Sequence, residues 1–380
     1  MDVLIAGAGL GGLALAGGLL ADGHRVRLLE QAPSLRVGGA AVTIFSNGAA
    51  ALSGLGAPLE GIGGVIDELE LRSADGANLF RVDLRVLRQR TGFPVVTVPR
   101  DRLITHLAQG LPANAVQFDR AVESVTVYAN RVDAIDNHGT VHSAQVLVGA
   151  DGHRSAVRRS VLDDAPAAEV GWITWQGLTP VLSDLANGSR GLLLVGDAGL
   201  CGLMPAGEGL LQWWFDVPAP APDPARESVV TWLRSRFGHY AEPVPALLDV
   251  VTDTDLGCYP HVLHQIPDRW GTGPTTLLGD AAHAFPPSQA QGANQTLEDA
   301  WLLTRALRLP DDPVRSLRRY EQRRAPRVRR VSRMAASEIT NRAPNTMTRL
   351  TARLVPASLS GLAYLALIRR FSSVLHDEHP

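Results

Sequence analysis

The feature that most constrains this chain lies at its start. Asp2-Val-Leu-Ile-Ala6 runs directly into Gly7-Ala-Gly9-Leu10-Gly11-Gly12, and the apolar residues from Leu13 to Leu20 follow with helical spacing. A short apolar run of this kind predicts a parallel strand buried on both faces. The glycines let the backbone approach a pyrophosphate, and the positive end of the following helix favours its charge. Arg25-Val-Arg-Leu-Leu29 predicts a second strand ending at Glu30-Gln31. An acid at that place accepts the ribose hydroxyls of an adenosine. Strand, glycine turn, helix and acid in register predict a dinucleotide site. They do not separate FAD from NAD.

Two later segments narrow the choice. Val146-Leu-Val-Gly-Ala150 leads into Asp151-Gly152-His-Arg-Ser155. Thr275-Thr-Leu-Leu278 leads into Gly279-Asp280-Ala-Ala-His283-Ala-Phe-Pro286-Pro287, and then Gln291-Gly292-Ala293-Asn294. Each puts an aspartate at the carboxyl end of a predicted parallel strand, where ligands of α/β sheets sit. With Gly7 to Gly12, Asp151-Gly152 and Gly279-Asp280 in this order, nearly the whole chain resembles the class A flavoprotein monooxygenases. These are aromatic hydroxylases with one bound FAD. Gly38-Gly-Ala-Ala-Val-Thr43, Asn47-Gly48, Leu203-Met-Pro205, Phe215-Asp-Val-Pro218 and Gln291 to Gln295 are similar to the salicylate- and urate-hydroxylase-like group.

The resemblance implies site roles. Asp280 would bind the ribityl chain of FAD, and Arg100 the ribityl or pyrophosphate region. Asp151 would support FAD and the transient docking of NAD(P)H. Arg36, Ala41 and Thr43 would lie beside the flavin's middle section, and Pro287 in the loop over it. Gly292, Ala293 and Asn294 would open a helix running to about Leu307, whose free N–H groups face the flavin's pyrimidine edge. Reduced flavin carries negative charge there, which such donors stabilise. The chain departs from the family at Ala290, where glycine is usual, and at Ser46, where proline is common.

The expected fold is α/β: a Rossmann-like FAD-binding domain (1–70, 97–160 and 271–330) with an inserted antiparallel-sheet substrate domain (71–96 and 161–270). A C-terminal helical segment (331–380) follows. Alternation along strands puts Leu200, Gly202 and Met204 on one face, and Leu210, Gln212 and Trp214 on one face of the next strand. Gln176 and Pro286 complete the expected pocket. In urate-type relatives an arginine and a tyrosine bind the polar substrate; the matching positions here are Leu200 and Gln212, and Gln176 stands where the group's arginine is common. A buried site without these cations binds anions poorly. The expected substrate is a neutral, largely apolar aromatic or polyene molecule. By the family's chemistry, NAD(P)H reduces FAD, and O2 gives a flavin C4a-hydroperoxide that hydroxylates or epoxidises it. Two rivals are a non-redox cyclase or isomerase with FAD as structural filler, and a ligand-binding flavoprotein.

Composition excludes other classes. The net charge of -2 over 380 residues argues against nucleic acid. Two cysteines, Cys201 and Cys258, rule out a disulfide framework or a four-cysteine metal site. His261, His264 and His283 form no standard zinc set, so no metal is expected. They read as structural, with His283 also a candidate for a base or proton relay. Nine arginines fall between 315 and 333 and read as a solvated helix face. The apolar stretch 354–368 is shorter than the roughly 20 residues of a membrane span. It reads as packed on the core, ahead of a dimer contact or a membrane surface. A cytoplasmic monomer or homodimer is the default.

Overall fold

The computed structural model describes residues 1–35, 40–220, 222–223, 227–309, 311–337 and 355–376. Its centre is the parallel sheet that the glycine string demands. β1 (Asp2–Ala6) lies between β12 (Val146–Gly149) and β2 (Arg25–Leu29), with β18 (Thr275–Leu277) and β8 (Val116–Gln117) at the edges. Val3, Leu4, Ile5, Val146, Leu147 and Val148 are all at 0% exposure, as a sheet covered on both faces requires. The order β18-β12-β1 puts the Gly279, Asp151 and Gly7 loops side by side at the carboxyl ends of three adjacent strands. This is where α/β folds bind ligands.

Twelve α-helices are described. α1 (Leu10–Ala21), α2 (Ser46–Gly54), α4 (Arg100–Gln109), α5 (Ala156–Leu162) and α9 (Asp280–His283) surround the parallel sheet with α10 (Gly292–Arg308) and α11 (Pro313–Ser337). α3 (Arg85–Thr91), α6 (Ser183–Ala186), α7 (Val229–Phe237), α8 (Val244–Val250) and α12 (Ala357–Phe371) accompany the second sheet. Two three-stranded sheets complete the first layer. One is β3 (Ala41–Ile44), β7 (Val95–Pro99) and β4 (Gly64–Ile66); the other is β9 (Val122–Val127), β10 (Val132–Asp136) and β11 (Val141–Ala144).

The second large sheet has seven strands in the order β17-β13-β16-β15-β14-β5-β6. They are β17 (Gly257–Leu263), β13 (Ala168–Thr179), β16 (Leu211–Pro218), β15 (Gly199–Pro205), β14 (Arg190–Gly196), β5 (Glu68–Ser73) and β6 (Asn78–Asp83). All its pairings are antiparallel except β14 with β5, because the β5–β6 hairpin arrives from an earlier segment of the chain. Period-two alternation gives it two distinct faces. Trp175, Trp213, Phe215, Cys201 and Leu203 pack under α7 and α8. Met204, Trp214 and Leu193 face the other way, toward Phe45 and α12.

The arginine-rich segment departs from a solvated face. α11 does carry exposed arginines, but Arg324 is at 0% exposure inside it. The stretch is amphipathic, and Arg324 falls on its buried stripe with Tyr320 and Val328. α12 packs on the core, with Leu365, Ile368 and Phe371 buried. Among the described residues no helix is long and apolar enough to cross a membrane.

Candidate active site

The glycine loop is built for close approach. Gly7 has φ +100°, and a Cβ there would lie 2.4 Å from the Ala150 carbonyl oxygen. A Cβ on Gly12 would lie 2.0 Å from the Gly7 carbonyl oxygen, so the turn closes only with glycine. Beside Gly9, by contrast, the space is open. α1 begins there without a side-chain cap, with Leu10 and Gly11 in its first turn. Glu30 is buried; its carboxylate accepts from Ala8 N–H at 2.8 Å and Ala32 N–H at 2.9 Å, which fixes it between the two loops. Gln31 next to it is exposed.

Asp151 anchors the second loop. It accepts from Ser155 Oγ at 2.5 Å and from the N–H groups of Ala156 and Val157, capping α5. Burial pushes its carboxyl pKa up. Arg158, nearly fully buried, reaches from α5 to the carbonyl oxygens of Ala281, Ala282 and Gln265 and to Asp164. It thereby ties the Asp151 loop to the Gly279 loop. Val157-Arg158 follows Asp151-Gly152 in the sequence, seven residues on, but nothing local gives Arg158 this bridging role.

The third loop starts at Gly279, whose N–H donates to Asp299 Oδ2 at 2.8 Å. Asp280 follows, exposed. His283 is at 0% exposure, its Nε2 is 2.6 Å from Asp299 Oδ2, and its ring packs between Trp270 and Phe285. In the described structure it pairs with Asp299 and packs against the two rings. Arg324 Nε donates to Asp299 Oδ1 at 2.6 Å, and its Nη1 lies 3.3 Å from Glu298 Oε2. Glu298 also accepts from Asn47 Nδ2 at 2.8 Å and from the Ser373 N–H. Burial raises the Asp299 carboxyl, but His283 and Arg324 outweigh it, and its pKa ends below the ordinary value. One buried network thus joins the Gly279 loop, α2, α10, α11 and the C-terminal tail.

α10 begins at Gly292 with no side-chain cap and no acid in its first turn. The Asn294 side chain is engaged by the protein. Its amide donates to the Thr43 and Ala290 carbonyls, and its Oδ1 accepts from Phe45 N–H at 2.8 Å. It therefore docks α10 on β3, and the backbone N–H groups of Gly292 and Ala293 are the donors left at the helix end. Thr43 pairs with Thr97 at 3.1 Å. Arg100 is exposed at the start of α4, and its N–H reaches the Ala40 carbonyl at 3.3 Å. Pro286 is buried and Pro287 exposed in the loop before α10. Arg36 lies outside the described residues.

The sheet brings the expected pocket residues onto one face. Gln176 lies opposite Trp214, Gln212 opposite Met204, and Leu200 opposite Asp216. Gln212 Nε2 donates to the Ala41 carbonyl at 2.9 Å, joining this face to β3 beside the cofactor loops. Trp214 and Met204 pack with Phe45 and with Tyr364 of α12, whose ring centre is 5.6 Å from that of Phe45. Three buried polar residues on this side, Thr174, Asp216 and His261, were not anticipated as a group.

Residues 1–335 match the family model described as "FAD binding domain". The chain belongs to that FAD-binding family. Among its relatives, 3-amino-4-hydroxybenzoate 2-monooxygenase of Streptomyces cremeus is 35% identical over 344 residues, covering 88% of this chain and 85% of that one. FAD-dependent urate hydroxylase of Klebsiella pneumoniae is 31% identical, covering 87% of both chains. A Klebsiella pneumoniae structure complexed with FAD and uric acid superposes with a TM-score of 0.88 at 26% identity, covering 97% of this chain and 96% of that one. These place the flavoprotein among the FAD-dependent monooxygenases and aromatic hydroxylases.

The residues present fit FAD. Two uncapped helix N-termini, of α1 and α10, and open space at Gly9 and Gly292 offer N–H donors to a pyrophosphate and to a flavin ring. Asp280 and Arg100, both exposed, are available to the polar middle of the cofactor. The departure at Ala290 has a measurable geometry: the residue sits at φ +49°, ψ 28°, the left-handed conformation that glycine adopts at no steric cost.

Proposed function

We propose that this flavoprotein is an NAD(P)H-dependent monooxygenase that hydroxylates or epoxidises a neutral, largely apolar aromatic or polyene molecule. Bound FAD would supply the redox chemistry by which two electrons from NAD(P)H and O2 give one oxygen atom to the substrate and the other to water. The protein's part is positional. Gly7 to Gly12 and Glu30 hold the dinucleotide, with Asp280, Arg100, Thr43 and Pro287 along its length. Asp151 orders the loop beside it. The first N–H groups of α10 stabilise negative charge at the flavin's pyrimidine edge. The same reading divides the chain into a discontinuous cofactor domain and an inserted substrate sheet.

The observation that supports the substrate class is the site face of the large sheet. Across β13, β16, β15 and β14 it presents Thr174, Gln176, Gln212, Trp214, Asp216, Leu200, Gly202, Met204, Leu193 and Val195, and no arginine. An anionic substrate would lose its hydration there without a compensating cation. The apolar part of this face, Trp214, Leu200, Met204, Leu193 and Val195, would also keep water from the reacting centre.

The test is anaerobic addition of NADH and NADPH to the purified holoenzyme, with and without neutral aromatic ligands. Bleaching of the oxidised flavin band, followed on readmitting air by a product heavier by one oxygen atom, is the expected result. A holoenzyme that neither nucleotide reduces with any ligand would refute the reading.

A further inference from the structure

The site face carries one polar cluster that the proposed chemistry does not use. Thr174, Asp216 and His261 are 5%, 5% and 3% exposed. Thr174 Oγ1 donates to Asp216 Oδ1, and the same oxygen lies 2.7 Å from His261 Nε2. His261 Nε2 is 3.6 Å from Asp216 Oδ1. A threonine hydroxyl has a single proton. Since that proton goes to Asp216, the hydroxyl can only accept from His261, and Nε2 must carry hydrogen. In the neutral ring with this tautomer, Nδ1 is a bare acceptor. That atom is buried and has no partner among the described residues. A buried acceptor left unpaired is unfavourable, and a ligand that donates to it recovers the loss.

The register locates this acceptor. Asp216 is cross-strand to Thr174 on one side and to Leu200 on the other, so all three share the face of Gln212 and Trp214. Gln212 marks the end of the face tied to β3 and the cofactor loops. Four residues from Gln212 to Asp216, at about 3.3 Å each, span about 13 Å. That is close to the van der Waals length of a three-ring aromatic.

We propose that His261, oriented by Thr174 and Asp216, is the specificity-determining acceptor of the substrate site. It selects a neutral aromatic bearing a hydroxyl or N–H donor at the end remote from the flavin. Asp216 disfavours a carboxylate at the same place. The proposal rests on the substrate face of the preceding section and adds the donor group to that substrate class.

The test is ligand binding to the oxidised holoenzyme, read as perturbation of the flavin absorption band, with 2-naphthol, 2-methoxynaphthalene and 2-naphthoate as probes. The expected order is naphthol tightest, the methyl ether at least about tenfold weaker, a difference of about 1.4 kcal/mol, and naphthoate weakest. His261→Phe should bring the naphthol-to-ether ratio close to one without weakening the ether. Thr174→Val, which removes the hydroxyl that fixes the tautomer, should reduce the ratio while keeping the histidine, and serves if His261→Phe does not retain flavin. A wild-type ratio near one, a failure of both naphthol and the ether to bind up to their solubility, or a ratio unchanged in the variants overturns the proposal. Since the readout needs no turnover, a protein that discriminates the probes but is not reduced by NAD(P)H would refute the monooxygenase reading and leave this one standing.

Discussion

Arg324→Met is the most demanding perturbation of the site's foundations. The guanidinium makes five hydrogen bonds: to Asp299, to Glu298, to Ser373 Oγ, and to the Gln295 carbonyl and side-chain oxygens. Arg324, Glu298 and Asp299 are all at 0% exposure. Methionine fills similar volume but leaves two carboxylates facing each other without their shared cation. Asp299 would keep only Gly279 N–H and His283, and Glu298 only Asn47 and Ser373 N–H. Removing one partner of a buried ion pair costs about 3–5 kcal/mol. With roughly 2.1 cal/mol/K of unfolding entropy per residue, 380 residues unfolding as one unit carry about 0.8 kcal/mol/K, so Tm should fall by about 4–6 °C. The assay is calorimetry and urea unfolding of the apoprotein, followed by FAD affinity, which should weaken because Asp299 fixes the Gly279 turn. Arg324→Lys should recover only part, since one ammonium cannot span both carboxylates and Gln295. A stability change under about 1 kcal/mol in Arg324→Met would refute the network as the clamp of the site, a threshold well below the cost of breaking a buried pair.

Three further outcomes are expected. Gly12→Ala should abolish FAD retention, because its Cβ would sit 2.0 Å from the Gly7 carbonyl; a full flavin complement after purification would disprove the turn geometry. Ala290→Gly should stabilise the fold by about 0.5–1 kcal/mol, read as a slightly higher urea midpoint, because the native left-handed conformation disfavours a Cβ; a destabilised variant would contradict that conformation. His264 is buried, and desolvation, with Arg158 beside it, lowers its pKa from 6.5 to about 4. The unfolded chain therefore takes up the proton first. Its contribution to stability is complete above pH 6.5 and is lost as pH falls toward 4, by at most about 3 kcal/mol. His264→Gln should flatten the stability profile in that window, and an unchanged slope would sink the assignment.

What the sequence showed plainly was whatever depends on neighbours along the chain. Gly7, Gly12 and Gly279 sit in tight loops after short apolar strands, and such loops are written in consecutive residues. The start of α10 at Gly292 and the alternating face of Gln212 and Trp214 are equally local, since a helix end and a pleat each follow a fixed period. Asn294 was singled out for a different partner, because its bond to Phe45 N–H joins positions far apart in the chain. Arg324 was hidden for a related reason. It is one of nine arginines in nineteen residues, and only the contact of α11 with α10 tells which one turns inward.

The His261 cluster lay furthest from view. Thr174 and Asp216 meet because β13 and β16 pair in one register, while His261 comes from a third strand. The pairing of β13 with β17 shifts between Glu169 and Ile173, so alternation counted along β17 alone does not determine which residue of β13 faces His261. A bulge breaks the period-two rule on which such counting rests. Thr174 pairs with Tyr259, and His261, two residues further along the same face, meets Thr174 Oγ1 diagonally through Nε2, a contact that leaves Nδ1 as the acceptor. The cofactor half of the site is thus written in loops, and its selectivity in strand register. A change in this register would alter substrate choice without touching a glycine of the FAD cradle.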